Sequence, residues 1–161
     1  MKFETKVIHA GIEPDPTTGA IMTPIFQTST YVQSAPGVHK GYEYARTHNP
    51  TRTALEKNLA ALENGTDAIC FASGLAAMDA TLKLLEPGDE VISTNDLYGG
   101  SYRLMTKVFA KYGIVFHFCD MANPDNVSAF LNNKTKMLWI ETPTNPMLNV
   151  VDIAAICALV K

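Results

Sequence analysis

TDAICFASGLAAM, residues 66–78, passes from a short apolar run directly into Ser73-Gly74 and then into apolar residues at helical spacing. TDAICFA (66–72) suits a buried strand, and Ser73-Gly74 opens a helix that turns Leu75, Met78, Leu82 and Leu85 to one side. A strand running straight into a helix is the unit of a parallel sheet, and the flanking sequence repeats it. Glu86-Pro87-Gly88-Asp89 stops the helix, EVIST (90–94) reads as the next strand, and Gly100 to Tyr112 as a helix with Tyr102, Met105 and Phe109 inward, stopped by Gly113. IVFHF (114–118) is a third strand. Asn123-Pro124 starts a short helix with Val127, Phe130 and Leu131 inward, KMLWI (136–140) is a fourth strand, and Asp152 caps a last helix running into Lys161. Upstream, Asn49 caps a helix that Pro50 begins and Gly65 ends, with Leu55, Leu59 and Leu62 on one face.

Alternating strands and helices imply an α/β domain over residues 49–161 with a mostly parallel sheet and helices on both faces. Residues 1–48 differ: four prolines and four glycines interrupt them, with no sustained period, yet they carry Ile25, Phe26, Tyr31, Tyr42 and Tyr44. They read as an extended N-terminal arm lying against something, a second subunit being the natural candidate. Among 161 residues, 47% hydrophobic and 18% charged, 13 basic residues give a net charge of -3 and no electrostatic footprint for nucleic acid or an anionic membrane. Neither a leader-like amino terminus nor an 18-residue apolar run is present, so the chain reads as cytoplasmic. Cys70, Cys119 and Cys157 lack disulfide or metal spacing and read as small core residues, and the four histidines lack ligand spacing, so no metal is expected.

Parallel sheets bind ligands beyond the carboxyl ends of their strands, which directs attention to three loops. At Ser73-Gly74-Leu75, free backbone N–H groups, the positive end of a helix dipole and a hydroxyl converge on a point suited to phosphate; small residues placed there for packing explain the same sequence. Asp96-Leu97-Tyr98-Gly99-Gly100 frees the backbone beside an aromatic ring that could lie flat on a planar cofactor or fill the core. Glu141 to Pro146 sets a carboxylate and the Asn145 amide between two prolines, a stiff polar site or a plain turn. In the arm, Tyr44 and Arg46 offer a phenol and a guanidinium two residues apart, able to grip a phosphate or simply to face solvent.

Together GYEYARTHNPTR (41–52), FASGLAAM (71–78), DLYGGSYR (96–103) and WIETPTNP (139–146) resemble the trans-sulfuration family of pyridoxal-phosphate (PLP) enzymes, in family order and across almost the whole chain. The resemblance implies a PLP fold-type I, aspartate-aminotransferase-like large domain, incomplete here, and an amino-acid substrate undergoing carbon-sulfur bond chemistry. It implies that Gly74 and Leu75 bind the cofactor phosphate with Ser73 beside them, and that Tyr44 and Arg46 reach the phosphate of a neighbouring subunit. By the same resemblance Tyr98 stacks on the pyridine ring and assists proton transfer, Asn145 bonds the ring's phenolic oxygen, Arg103 and Arg46 approach substrate, and Glu141 is a structural support. A homo-oligomer, a dimer of dimers, follows.

Within the family, Tyr98-Gly99-Gly100 resembles the cystathionine gamma-synthases and gamma-lyases more than methionine gamma-lyase, where cysteine typically stands at the position of Gly100. Methionine gamma-lyase and O-acetylhomoserine sulfhydrylase are the alternative activities. The family's cofactor-bonding lysine follows a serine-x-threonine pattern that none of the ten lysines here matches. The family's pyridine-binding aspartate and carboxy-terminal domain are likewise unmatched, so the chain by itself is expected to be inactive. A non-catalytic shortened relative that pairs with a complete partner is the other reading.

Overall fold

The computed structural model describes residues 1–160, and the chain forms two compact units, Met1–Phe71 and Ala72–Lys161. In the second, the strands β1 (Glu90–Thr94), β2 (Val115–Cys119) and β3 (Thr135–Trp139) form a sheet ordered β2-β1-β3, parallel throughout. Successive strand residues point to opposite faces, so Val91 joins a cluster with Met78, Leu82, Met105 and Phe109, whereas Ile92 joins one with Met121, Val127 and Ile156. Helices α3 (Gly74–Leu82) and α4 (Gly99–Arg103) serve the first cluster's side, and α5 (Pro124–Ser128) and α6 (Ile153–Ala158) the second. The expected parallel α/β architecture with helices on both faces is therefore present. Its capping residues act as read: the Ser73, Asn123 and Asp152 side chains accept from Ala76, Asp125 and Ala155 N–H.

Several local expectations differ. Residues 66–72 form no strand. A strand exists only through a ladder partner, and among the described residues this segment's Cys70 N–H finds the Glu56 side chain instead, at 3.0 Å, with Ile69 exposed. The helix read as Gly100 to Tyr112 changes pitch twice, from α4 through a π-helical turn (Leu104–Val108) to a 3₁₀ turn (Phe109–Tyr112), before Gly113 ends it with φ of 84°. Met105 and Phe109 are buried as expected, but Tyr102 is exposed and rests only its ring against Phe118, 5.2 Å between centroids. The π turn shifts the face that a regular 3.6 period would present. β2 and β3 are displaced by one residue from the reading, and the last helix is shorter. Only Cys119 is buried; Cys70 is half-buried and Cys157 exposed, because Ile156 is the residue α6 turns inward.

The first unit contains α2 (Pro50–Glu63), capped by Asn49 as expected, its side chain accepting from Thr51 and Arg52 N–H. The left-handed terminal residue is Asn64, φ 54°, rather than Gly65. Leu55 and Leu59 are exposed, and the inward residue is Ala60. Residues 1–48 include a helix the sequence did not signal, α1 (Phe3–His9), with no buried residue. It is held by polar contacts to α2: the Asn58 amide donates to the Lys6, Val7 and Ala10 carbonyls, and Lys6 Nζ donates to the Ala61 carbonyl. Further along, residues 29–45 double back, with an antiparallel bridge between Thr30 and Tyr44 and hydrogen bonds from Tyr31 N–H to the Glu43 carbonyl and from Ala45 N–H to the Ser29 carbonyl.

Candidate cofactor site

Within the second unit, α3 begins at Gly74, β1 ends at Thr94 and β3 ends at Trp139. The termini of these elements border a cavity of about 420 Å³ lined by Ser73, Gly74, Leu75, Met78, Tyr98, Ser101, Trp139 and Glu141. Ser73 Oγ accepts from Ala76 N–H at 3.1 Å, which leaves the N–H groups of Gly74 and Leu75, in the first helical turn, without an intrahelical acceptor. A Cβ at Gly74 would meet nothing within 4 Å, so the backbone here is open to approach. The positive end of the nine-residue helix completes a setting for an anion.

Tyr98 forms a wall of the cavity. Its ring lies so close over Gly100 that a Cβ there would fall 2.2 Å from Cε1, so the absence of a side chain at Gly100 creates the ring's position. Glu141 secures the same loop: its carboxylate accepts from Tyr98 N–H at 2.9 Å and from the Ser101 hydroxyl at 3.1 Å. Behind them, the Trp139 indole N–H is buried and has no partner among the described residues.

Of the residues read from the sequence, Ser73, Gly74, Leu75 and Tyr98 line this one cavity. Asn145 and Arg103 are exposed and outside its lining. Tyr44 and Arg46 belong to the first unit, where the Arg46 guanidinium carbon stands 4.8 Å from the centroid of the Tyr44 ring. Arg46 also borders a separate cavity of about 640 Å³ in that unit, with Arg52, Lys57 and Asp67. Sequence reasoning missed Met78, Ser101 and Trp139 as lining residues. Met78 reads from the sequence as part of a helix's apolar side and Trp139 as part of the fourth strand, and a parity count along β3 from Glu141 signals that Trp139 faces the same side. No group of three potential metal-ligating side chains occurs among the described residues, and no helix among them is long and apolar enough to cross a membrane.

An anion-binding setting at a helix start, beside an exposed aromatic ring, suits an α/β domain that takes a planar phosphorylated cofactor. Comparison with known proteins identifies which. Residues 4–161 match the family model described as Cys/Met metabolism PLP-dependent enzyme, and the chain belongs to that family. It is 52% identical over 160 residues to a cystathionine beta-lyase of Coxiella burnetii, covering 99% of this chain and 41% of that protein. A probable cystathionine gamma-synthase of Herpetosiphon aurantiacus is 50% identical over 159 residues, 99% of this chain and 50% of its own length. The structure of a cystathionine gamma-lyase from Lactobacillus plantarum complexed with L-serine superposes with a TM-score of 0.90 at 46% identity, covering 99% of this chain and 42% of that one. The chain thus spans between two fifths and half the length of these relatives.

The residues present fit pyridoxal phosphate. Two free amides and a hydroxyl meet at the helix start, where they would hold its phosphate, and the Tyr98 ring offers a flat face.

Proposed function

We propose that a protein carrying this chain uses pyridoxal phosphate to make or break carbon-sulfur bonds of sulfur amino acids, as a cystathionine gamma-synthase, gamma-lyase or beta-lyase. The observation that carries this reading is the cavity at the start of α3, walled by Tyr98 and Trp139, in a chain about half identical to enzymes named for those activities. When bound, the cofactor supplies an electron sink for the substrate's amino-acid carbon skeleton. The chain's own part is binding and orientation. Gly74 and Leu75 N–H and Ser73 hold the phosphate, Tyr98 lies against the pyridine ring with its phenol available to take or return a proton, and Asn145 donates to the ring's phenolic oxygen. Arg103 and Arg46 approach the substrate, and Tyr44 with Arg46 reaches the phosphate of a neighbouring subunit, which requires at least a dimer; the full-length protein is read as a cytoplasmic dimer of dimers. Residues 1–48 then act as the inter-subunit arm and 49–161 as the first part of the cofactor domain.

Since no lysine here stands in the family's cofactor-bonding pattern, the 161 residues alone bind without turnover. Trp139 is the sole tryptophan and borders the cavity, so quenching of its fluorescence by added pyridoxal phosphate tests the binding claim directly. Saturable quenching is expected, with no unique lysine adduct after borohydride. No quenching at any concentration sinks the reading. Assay of the full-length protein with O-succinylhomoserine plus cysteine, and with cystathionine, separates synthase from lyase.

A further inference from the structure

The loops that follow β1 and β3 are laced by two carboxylates that cross between them. Asp96, on the first loop, accepts the Thr144 hydroxyl at 2.5 Å and the Met147 N–H at 2.9 Å, both on the second. Glu141, on the second loop, accepts the Tyr98 N–H at 2.9 Å and the Ser101 hydroxyl at 3.1 Å, both on the first. Thr144 is 3% exposed and Ser101 5%, so the two hydroxyl bonds are shielded from competing water, whereas the Tyr98 and Met147 N–H bonds lie nearer the surface. Thr144 is also the knot of its own turn: its hydroxyl accepts from Asn149 N–H at 2.8 Å, and its N–H donates to the Asn149 carbonyl at 2.9 Å.

We infer that Asp96 and Glu141 are a pair of positioning residues, a crossed clamp that fixes the Tyr98 loop and the Asn145 turn relative to each other before any ligand arrives. The reason is the crossing. Each loop supplies the acceptor for the other's donors, so neither can shift alone without unpairing both carboxylates and their donors, the Thr144 and Ser101 hydroxyls among them in a shielded place. With one on each, releasing either end loosens both. Its consequence for the cofactor, that the ring face of Tyr98 and the amide of Asn145 are held at a set separation, rests on the function proposed above. The clamp itself does not.

The test is amide hydrogen exchange on the full chain, comparing wild type with Asp96→Ala and Glu141→Ala, together with pyridoxal-phosphate quenching of Trp139. Asp96→Ala removes the acceptor of Met147 but leaves that of Tyr98 intact. The clamp nevertheless expects exchange to rise roughly tenfold at both amides, and Glu141→Ala, which removes the acceptor of Tyr98 and leaves that of Met147, to do the same at Met147 as well as Tyr98. Acceleration confined to the amide whose own acceptor was removed overturns the proposal, since independent bonds behave that way. If Asp96→Ala fails to fold, Thr144→Val keeps the charge and removes one strut, and the same spread to Tyr98 is read there. Apparent affinity for pyridoxal phosphate is expected to fall roughly tenfold in each variant. Cross-loop acceleration in a chain that shows no quenching supports the clamp and refutes the cofactor reading; quenching that survives unchanged in variants with loosened loops overturns the positioning role.

Discussion

The two units of this chain are built on opposite principles. In Ala72–Lys161, Leu82, Val91, Ile92, Met105, Val127 and Ile156 are entirely removed from solvent. In Met1–Phe71 the sole buried hydrophobic residue among those described is Ala60, while Ile8, Ile21, Met22, Ile25 and Val32 are exposed. That unit is held by side-chain amides and hydroxyls on backbone carbonyls: Asn58 on α1, the Asn49 amide on the Phe26 carbonyl, and the Thr51 hydroxyl on the Pro24 carbonyl. Hydrogen bonds to solvent-accessible groups contribute little net stability, whereas buried apolar area is the main favourable term in folding. The contrast teaches that the second unit carries its own core and the first supplies apolar surface whose burial needs another surface.

The comparison is most sharply tested by truncating one apolar residue in each unit. Ile92→Ala, at the centre of the sheet, should cost about 2–5 kcal/mol in denaturant unfolding. Leu59→Ala, half-exposed on α2, should change stability by no more than about 0.5 kcal/mol in the isolated chain, and equal losses would erase the distinction. Next in size is Gly100→Ala, where the added methyl must displace the Tyr98 ring; a loss of about 1–3 kcal/mol is expected, with a changed ring signal for Tyr98 in NMR spectra. In the first unit, Asn58→Ala removes the donor that ties α1 to α2. A cost of about 1 kcal/mol is expected, seen as faster amide exchange confined to residues 3–10. A comparable cost, about 1 kcal/mol, should follow Ser73→Ala through loss of its helix cap, with weakened pyridoxal-phosphate quenching that the equivalent cap removal at Asn49 leaves alone.

The smallest effect concerns pH. At the start of β1, the Asn132 amide and the His117 ring, at 2.9 and 2.7 Å, hold the Glu90 carboxyl below its ordinary range, the amide bond being the larger cause. A carboxylate whose folded value is depressed adds stability above its unfolded value and loses it as pH falls through the folded one. Glu90→Gln should therefore flatten the acid side of the stability profile and leave the neutral side of that slope unchanged, measured by thermal melts from neutral pH downward. An unchanged acid slope would show that these partners do not couple to folding.

How much was legible in the sequence follows the same division. Helix starts were readable because a cap pairs with N–H groups only two or three positions away: Asn49, Ser73, Asn123 and Asp152 all cap the helices they open. EVIST was readable because a central strand of a parallel sheet is apolar on both faces. The run 66–72 is more apolar still and yet forms no strand, since a strand is a relation to a neighbour and none pairs with it among the described residues. The helix α1 was missed for the converse reason: seven residues with nothing buried give no period, and Asn58, some 50 positions distant, holds them. In the candidate site, the anion-binding setting at Ser73-Gly74-Leu75 was visible because it is local, whereas Trp139 and Ser101 entered the cavity only through the pairing of β1 with β3.

By itself, then, the sequence determined the alternation of strand and helix, the capped helix starts, the resemblance to a cofactor-dependent family and the residues that carry it, all of which depend on neighbours along the chain. Tertiary structure alone decided that Tyr98 lies over Gly100, that an indole N–H is left without a partner beside the cavity, and that Asp96 and Glu141 reach across to each other's loops. Each of these depends on groups some 40 to 50 residues apart, or on the space a missing side chain leaves, and such distances are set by sheet register and packing rather than by local spacing.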